Sequence, residues 1–106
     1  MNVQYDYNSV KSALKLLGIT KNDTLFTHSN IGFFGIPAEG KSIDIACEII
    51  FKALRDVIGD KGTIVVPTFT YSFPESKTFN YDEPSKSCGI FSEYVRKLKD
   101  SIRSED

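Results

Sequence analysis

Residues 42–67, SIDIACEIIFKALRDVIGDKGTIVVP, decide the fold. Ser42 can cap a helix. Ile43, Ala46, Cys47, Ile50, Leu54, Val57 and Ile58 then recur at the spacing of one helical face. Asp44, Glu48, Lys52, Arg55 and Asp56 fall on the other side and read as a solvated face, while Ile45, Ile49 and Phe51 widen the apolar stripe. Gly59 sits where a helix ends, and Asp60-Lys61-Gly62 makes a tight turn. The β-prone run TIVV at 63–66 follows and is stopped by Pro67.

Working outward toward the N-terminus, residues 24–29 predict a second strand, entered from a turn at Lys21-Asn22-Asp23. Its apolar pattern does not alternate, which predicts a strand covered on both faces. Strand, helix and strand in this order make a βαβ unit with parallel strands and a right-handed crossover. Both carboxyl ends then lie at one rim, which gathers His28-Ser29 and Pro67-Thr68-Phe69-Thr70-Tyr71 where α/β proteins hold ligands. Earlier in the chain, Val10, Ala13, Leu14 and Leu17 predict a short amphipathic helix over 9–17, capped by Asn8 or Ser9 and closed by Gly18. Val10, Leu14 and Leu17 should face the core, and Lys11 and Lys15 water. Residues 1–6 read as a polar start and 30–41 as a loop, with Phe33, Phe34 and Ile36 either lidding the core or lining a pocket. Residues 72–86 read as a long irregular segment. Ser85 or Ser87 then opens a last helix whose apolar face is Ile90, Phe91, Tyr94, Val95 and Leu98, with a polar end over 101–106.

Composition narrows the function classes. The chain has 106 residues, 41% hydrophobic and 25% charged, with a net charge of -1. That balance gives no electrostatic reason to capture nucleic acid or an anionic membrane, and no apolar run is long enough to span a bilayer. A cytoplasmic location is expected. One histidine and two distant cysteines, Cys47 and Cys88, do not make a metal site or a disulfide framework; Cys47 reads as a small core residue. No glycine-rich phosphate loop, dinucleotide fingerprint, HExxH or GxSxG elbow is present. Ser29 and His28 are adjacent on a strand and point to opposite faces, so they are not a nucleophile and its base. The residues alone leave His28 open as a catalytic base, a ligand-binding residue or a packed structural side chain. The rim hydroxyls of Ser29, Thr68, Thr70 and Tyr71, with Ser85, Ser87 and the N–H groups near Gly89, suit an elongated ligand bearing amides or phosphates.

Taken together these pieces resemble the N-terminal part of the aminoglycoside 3-N-acetyltransferase family. The resemblance rests on Asp23-Thr24-Leu25 leading to His28-Ser29, then Gly35, then Asp60-Lys61-Gly62-Thr63 leading to Pro67-Thr68-Phe69-Thr70. Phe79, Pro84-Ser85, Gly89, Glu93 with Arg96, and Arg103-Ser104 follow in the family's order. It implies that residues 1–106 are the N-terminal portion of one larger three-layer α/β acetyltransferase fold. It also implies an acetyl-CoA co-substrate, no metal, and a small-molecule amine acceptor such as an aminoglycoside or another amino sugar; antibiotic resistance does not follow from the family's name. His28, Ser29, Thr68, Thr70, Ser85, Ser87 and Gly89 would line the cofactor, with Ser85 and Ser87 competing for one role, and Tyr71 would reach toward the acceptor. Asn30 and Cys88 depart from the family pattern, which has serine and methionine there. The resemblance puts the general base, a histidine supported by an acid, beyond Asp106, so no catalytic residue is expected within the chain. Two clear strands make a poor sheet, so further strands are expected from a missing C-terminal portion or from a partner, a second copy included. The contrasting expectation is a non-catalytic remnant or interaction module that completes its sheet with that partner.

Overall fold

The computed structural model describes residues 3–27, 35–68 and 89–103. Its elements run β1 (Val3–Tyr5), α1 (Tyr7–Leu16), β2 (Thr24–Phe26), β3 (Ile36–Pro37), α2 (Ile43–Ile58), β4 (Thr63–Val65) and α3 (Ile90–Arg96). The longest of them, α2, is buried as its periodicity predicts except at its first residue, Ile43, which is exposed. The Ser42 hydroxyl accepts the Asp44 N–H at 3.1 Å, and Gly59 closes the helix by donating its N–H to the Arg55 carbonyl. Ala46, Cys47, Ile49, Ile50, Ala53, Leu54, Val57 and Ile58 are buried. Arg55 joins the end of α2 to the following turn, its Nη1 donating to the carbonyls of Gly59 at 3.2 Å and Gly62 at 2.7 Å.

The βαβ unit is present. β2 and β4 pair in parallel, with Thr24 opposite Thr63, Leu25 opposite Ile64 and Phe26 opposite Val65. The ladder is extended by the Thr63 N–H donating to the Asp23 carbonyl at 3.0 Å and the Thr27 N–H to the Val65 carbonyl at 2.8 Å. The described strands are shorter than the sequence suggests, and among the described residues β2 is covered on one face only rather than the expected two. Leu25 and Ile64 pack toward the α2–α3 core, whereas Phe26 is 70% and Val65 38% exposed on the opposite face. The residues that break the alternation, Phe26 and Val65, thus form an apolar face that the described residues leave exposed.

A second parallel pair, β1 with β3, lies in stretches read as a polar start and a loop. Val3 pairs with Ile36 and Tyr5 with Pro37, and the Ala38 N–H donates to the Tyr5 carbonyl at 2.8 Å. α1 begins earlier than its apolar spacing suggests. Asp6 is the N-cap, and Ser9 is the third helical residue of a capping box: Asp6 Oδ1 accepts the Ser9 N–H at 2.7 Å and Ser9 Oγ accepts the Asp6 N–H at 2.9 Å. Leu17 is the C-cap and is exposed, so it leaves the expected core face, while Leu14 packs against the core. Lys11 and Lys52 each approach the Tyr7 ring, at 5.7 and 5.3 Å from its centroid, and the Tyr7 hydroxyl donates to Asp56 Oδ2.

α3 supplies the other side of the core through Phe91 and Val95, with Tyr94 edge-on to Phe51 at 6.1 Å between centroids. Ile90, expected on this face, is instead exposed. Glu93 and Arg96 form a forked ion pair along the helix, at 2.7 and 3.1 Å.

Candidate functional site

The rim predicted from the βαβ unit exists where it is described. β2 and β4 run parallel, so Thr27 and the segment Val66-Pro67-Thr68 leave the sheet at the same end. In a parallel ladder the backbone groups of alternate residues face the same neighbour. Thr63 and Val65 turn theirs toward β2, as the flanking hydrogen bonds show, and Ile64 and Val66 turn theirs the other way. That second edge borders an open groove of about 1170 Å³, walled on one side by residues 62–66 and Thr68 and on the other by Val95, Arg96 and residues 98–103. Arg55, Arg96, Lys99 and Arg103 contribute cationic side chains to its lining, against Asp60 and Asp100.

Thr68 is half-buried at the end of this wall. Its carbonyl accepts Nη2 of Arg103 at 2.6 Å, across 35 residues of chain. Arg103 reaches it because the chain turns back after α3: the Leu98 N–H donates to the Val95 carbonyl at 3.1 Å, the Ser101 N–H to the Leu98 carbonyl at 3.1 Å, and the Ser101 hydroxyl to the Val95 carbonyl. Gly89, the other described candidate, is the N-cap of α3. Its φ of 94° and ψ of 169° belong to a backbone region that a Cβ makes costly, so glycine is what lets the chain enter α3 at this angle. Its carbonyl accepts the Glu93 N–H at 3.3 Å, and no side chain caps the helix there. His28, Ser29, Thr70, Tyr71, Ser85, Ser87 and Cys88 lie outside the described residues, as do Phe33 and Phe34.

The described residues offer no nucleophile poised to react. Cys47 is 1% exposed, and burial followed by the charge of Asp44 pushes its thiol above its ordinary pKa, which disfavours the reactive thiolate. Burial likewise raises Tyr5, helped by the charges of Cys47 and Glu39. Among the described residues no cluster of three or more His, Cys, Asp or Glu side chains could hold a metal ion, and no helix is long and apolar enough to cross a membrane. What the described part of the rim can do is hold and orient, through hydroxyl, carbonyl and cationic groups.

Residues 26–106 match the family model described as aminoglycoside 3-N-acetyltransferase. The chain belongs to that family. The match takes in Thr68, Gly89 and every other residue singled out at the rim. The fold agrees with a solved structure, the YokD protein from Bacillus subtilis, at a TM-score of 0.70 and 23% sequence identity. That likeness covers 89% of this chain but 43% of the YokD chain, so the family member described here spans less than half of its structural neighbour. No curated protein matches at a significant level. The Arg103 contact was not legible beforehand: Arg103-Ser104 stood out as a pair in the family's order, but no spacing rule connects position 103 to position 68.

Proposed function

We propose that this chain is the cofactor-side, N-terminal portion of an acetyl-CoA-dependent N-acetyltransferase that acts on an amino group of an aminoglycoside or related amino sugar. The observation that carries this reading is the family match over residues 26–106. The parallel β2–β4 unit supports it, with Thr68 lining an open groove of about 1170 Å³. Acetyl transfer to an amine needs the amine neutral, the thioester held, and donors for the oxyanion that develops as the amine attacks the carbonyl carbon. In this reading His28, Ser29, Thr68, Thr70, Gly89 and one of Ser85 and Ser87 line the acetyl-CoA, and Tyr71 faces the acceptor. A histidine-acid pair supplied by sequence following residue 106 takes the proton from the ammonium. The neutral amine attacks the thioester carbonyl. As the tetrahedral adduct collapses the C–S bond breaks, the adduct nitrogen gives up one N–H proton and the departing sulfur takes one up, so coenzyme A leaves as the thiol with no covalent enzyme intermediate. The chain is the first part of a three-layer α/β domain whose remaining strands complete the sheet.

The test is turnover by a longer protein that carries this sequence as its N-terminal portion. It should release free coenzyme A thiol when given acetyl-CoA and an amino sugar, and His28→Ala should raise the KM for acetyl-CoA more than that for the acceptor. Release without dependence on any amine acceptor would contradict the assignment.

A second reading is favoured by one specific observation. Phe26 and Val65 are directly opposed and both exposed, which leaves an apolar pair on an uncovered sheet face. A non-catalytic module that covers this face with a partner or a second copy would account for it. Sedimentation equilibrium of the 106-residue chain separates the two: a concentration-dependent dimer that Phe26→Ser abolishes supports the module, and a folded monomer at all concentrations argues against it.

A further inference from the structure

We propose that Arg103 is a positioning residue for the acetyl-CoA subsite, acting through Thr68. The inference rests on the reading of Thr68 as a cofactor residue given above, and adds a role for a side chain that this reading leaves without one.

Thr68 stands three residues past β4, beyond the last rung of the ladder formed by the Thr27 N–H and the Val65 carbonyl. Among the described residues, no backbone hydrogen bond past Val65 ties this segment to β2. Pro67, immediately before it, has no N–H with which to anchor the turn. A polar hold on Thr68 comes from the tail that follows α3, where the Arg103 guanidinium donates to the Thr68 carbonyl at 2.6 Å. A hydrogen bond from a charged donor is stronger and shorter than a neutral one, and a half-buried one is less screened by water. Arg103 is itself held. The Ser101 hydroxyl and N–H fold the tail back onto Val95 and Leu98, and α3 is fixed in the core by Phe91 and Val95. The chain thus makes a closed circuit, from β4 through Thr68 to Arg103 and back along α3 to Gly89. The Arg103–Thr68 bond adds a direct polar link between the segments that carry the two described cofactor candidates, beyond the core packing that Val66 and α3 share. Fixing the Thr68 carbonyl fixes the peptide plane, and with it where the Thr68 hydroxyl can sit. Catalytic and binding geometry tolerates little misplacement, so a group that sets a backbone plane influences affinity without touching the ligand.

The test is a calorimetric cycle with acetyl-CoA, run on the longest folded chain that binds it, using wild type, Arg103→Ala, Arg103→Lys, Thr68→Ala and the double variant Arg103→Ala/Thr68→Ala. Lys99→Ala, which removes a cation from the same groove without touching Thr68, serves as the charge control. Arg103→Ala should weaken acetyl-CoA binding about tenfold, the worth of one charged hydrogen bond. Arg103→Lys, which keeps a charged donor, should restore part of the loss, and it also covers the case in which Arg103→Ala does not fold. In the double variant the loss should be no greater than in Thr68→Ala alone, because Arg103 acts through that residue. The slope of affinity against salt should match wild type in Arg103→Ala, since a positioning group removes no contact to the cofactor phosphates. Losses that add in the double variant, a reduced salt slope, or an Arg103→Ala affinity equal to wild type would each overturn the proposal. Failure of the wild type itself to bind acetyl-CoA would instead remove the functional reading on which the proposal stands.

Discussion

Gly62 shows how tightly single residues are fixed in this chain. A Cβ built at this position would lie 2.5 Å from Ile58 Cγ1 and 2.6 Å from Ile58 Cβ, and Ile58 is fully buried at the end of α2. The contact is with the rigid base of a β-branched side chain, so neither partner can give way. Gly62→Ala should destabilise the fold by about 1–3 kcal/mol in urea unfolding, the range for overpacking. Cys47 makes a prediction of another kind. Its folded pKa is raised above the ordinary 9.0 by burial, so the unfolded chain gives up this proton first as pH rises. The stability linked to the thiol is then fully present below about pH 9 and is lost as pH climbs through the folded value. Iodoacetamide should label Cys47 slowly in the native chain at pH 8 and rapidly in urea; fast native labelling would contradict its burial. At this scale the sequence was informative about packing, as with Cys47 in the core. It was silent about long-range polar contacts, because the bond from Arg103 to the Thr68 carbonyl depends on how the tail after α3 turns back.

The elements differ in how much of themselves they announce. α2 is 16 residues long and carries an unbroken apolar face, so its cap, its extent and its end were all legible. β1 and β3 have three and two residues, and β3 ends in a proline; neither has the length or alternation to signal a strand, and both exist because they pair with each other. α1 was misplaced at its start because the apolar spacing begins at Val10, whereas the helix is set by the Asp6–Ser9 capping box. Asp6→Ala should therefore cost about 0.5–2 kcal/mol, with the loss of helicity seen in α1 by amide exchange. At the α2–α3 junction Phe91 is 1% exposed and packs against the face of α2 that includes Cys47, Ile50 and Leu54. Phe91→Ala should cost about 3–5 kcal/mol, the range for deleting a buried aromatic ring. A loss below about 1 kcal/mol would mean that α3 is not part of the cooperative core. Because α3 carries Gly89 at one end and leads to Arg103 at the other, this packing also governs the geometry of the rim.

For the molecule as a whole, the architecture follows from one βαβ unit joined to a capped helix and a second small parallel pair. The parallel arrangement brings the ends of β2 and β4 to one rim, and this much of the site could be read from the order of helical and β-prone stretches. The identity of the chemistry could not be read that way: hydroxyls and one histidine near a sheet edge fit many ligands, and it is the family match that singles out acetyl transfer for the proposal. The open groove beside β4 and the exposed Phe26–Val65 pair both depart from a closed surface, and the proposed function and its alternative each give one of them an occupant. The central claim, that this rim holds acetyl-CoA, is tested most directly by titrating acetyl-CoA calorimetrically into the 106-residue chain and into a longer protein that continues past residue 106. Saturable binding of one acetyl-CoA per longer chain, weakened by Thr68→Ala, is the expected result. A longer protein that is folded and shows no binding would contradict the account.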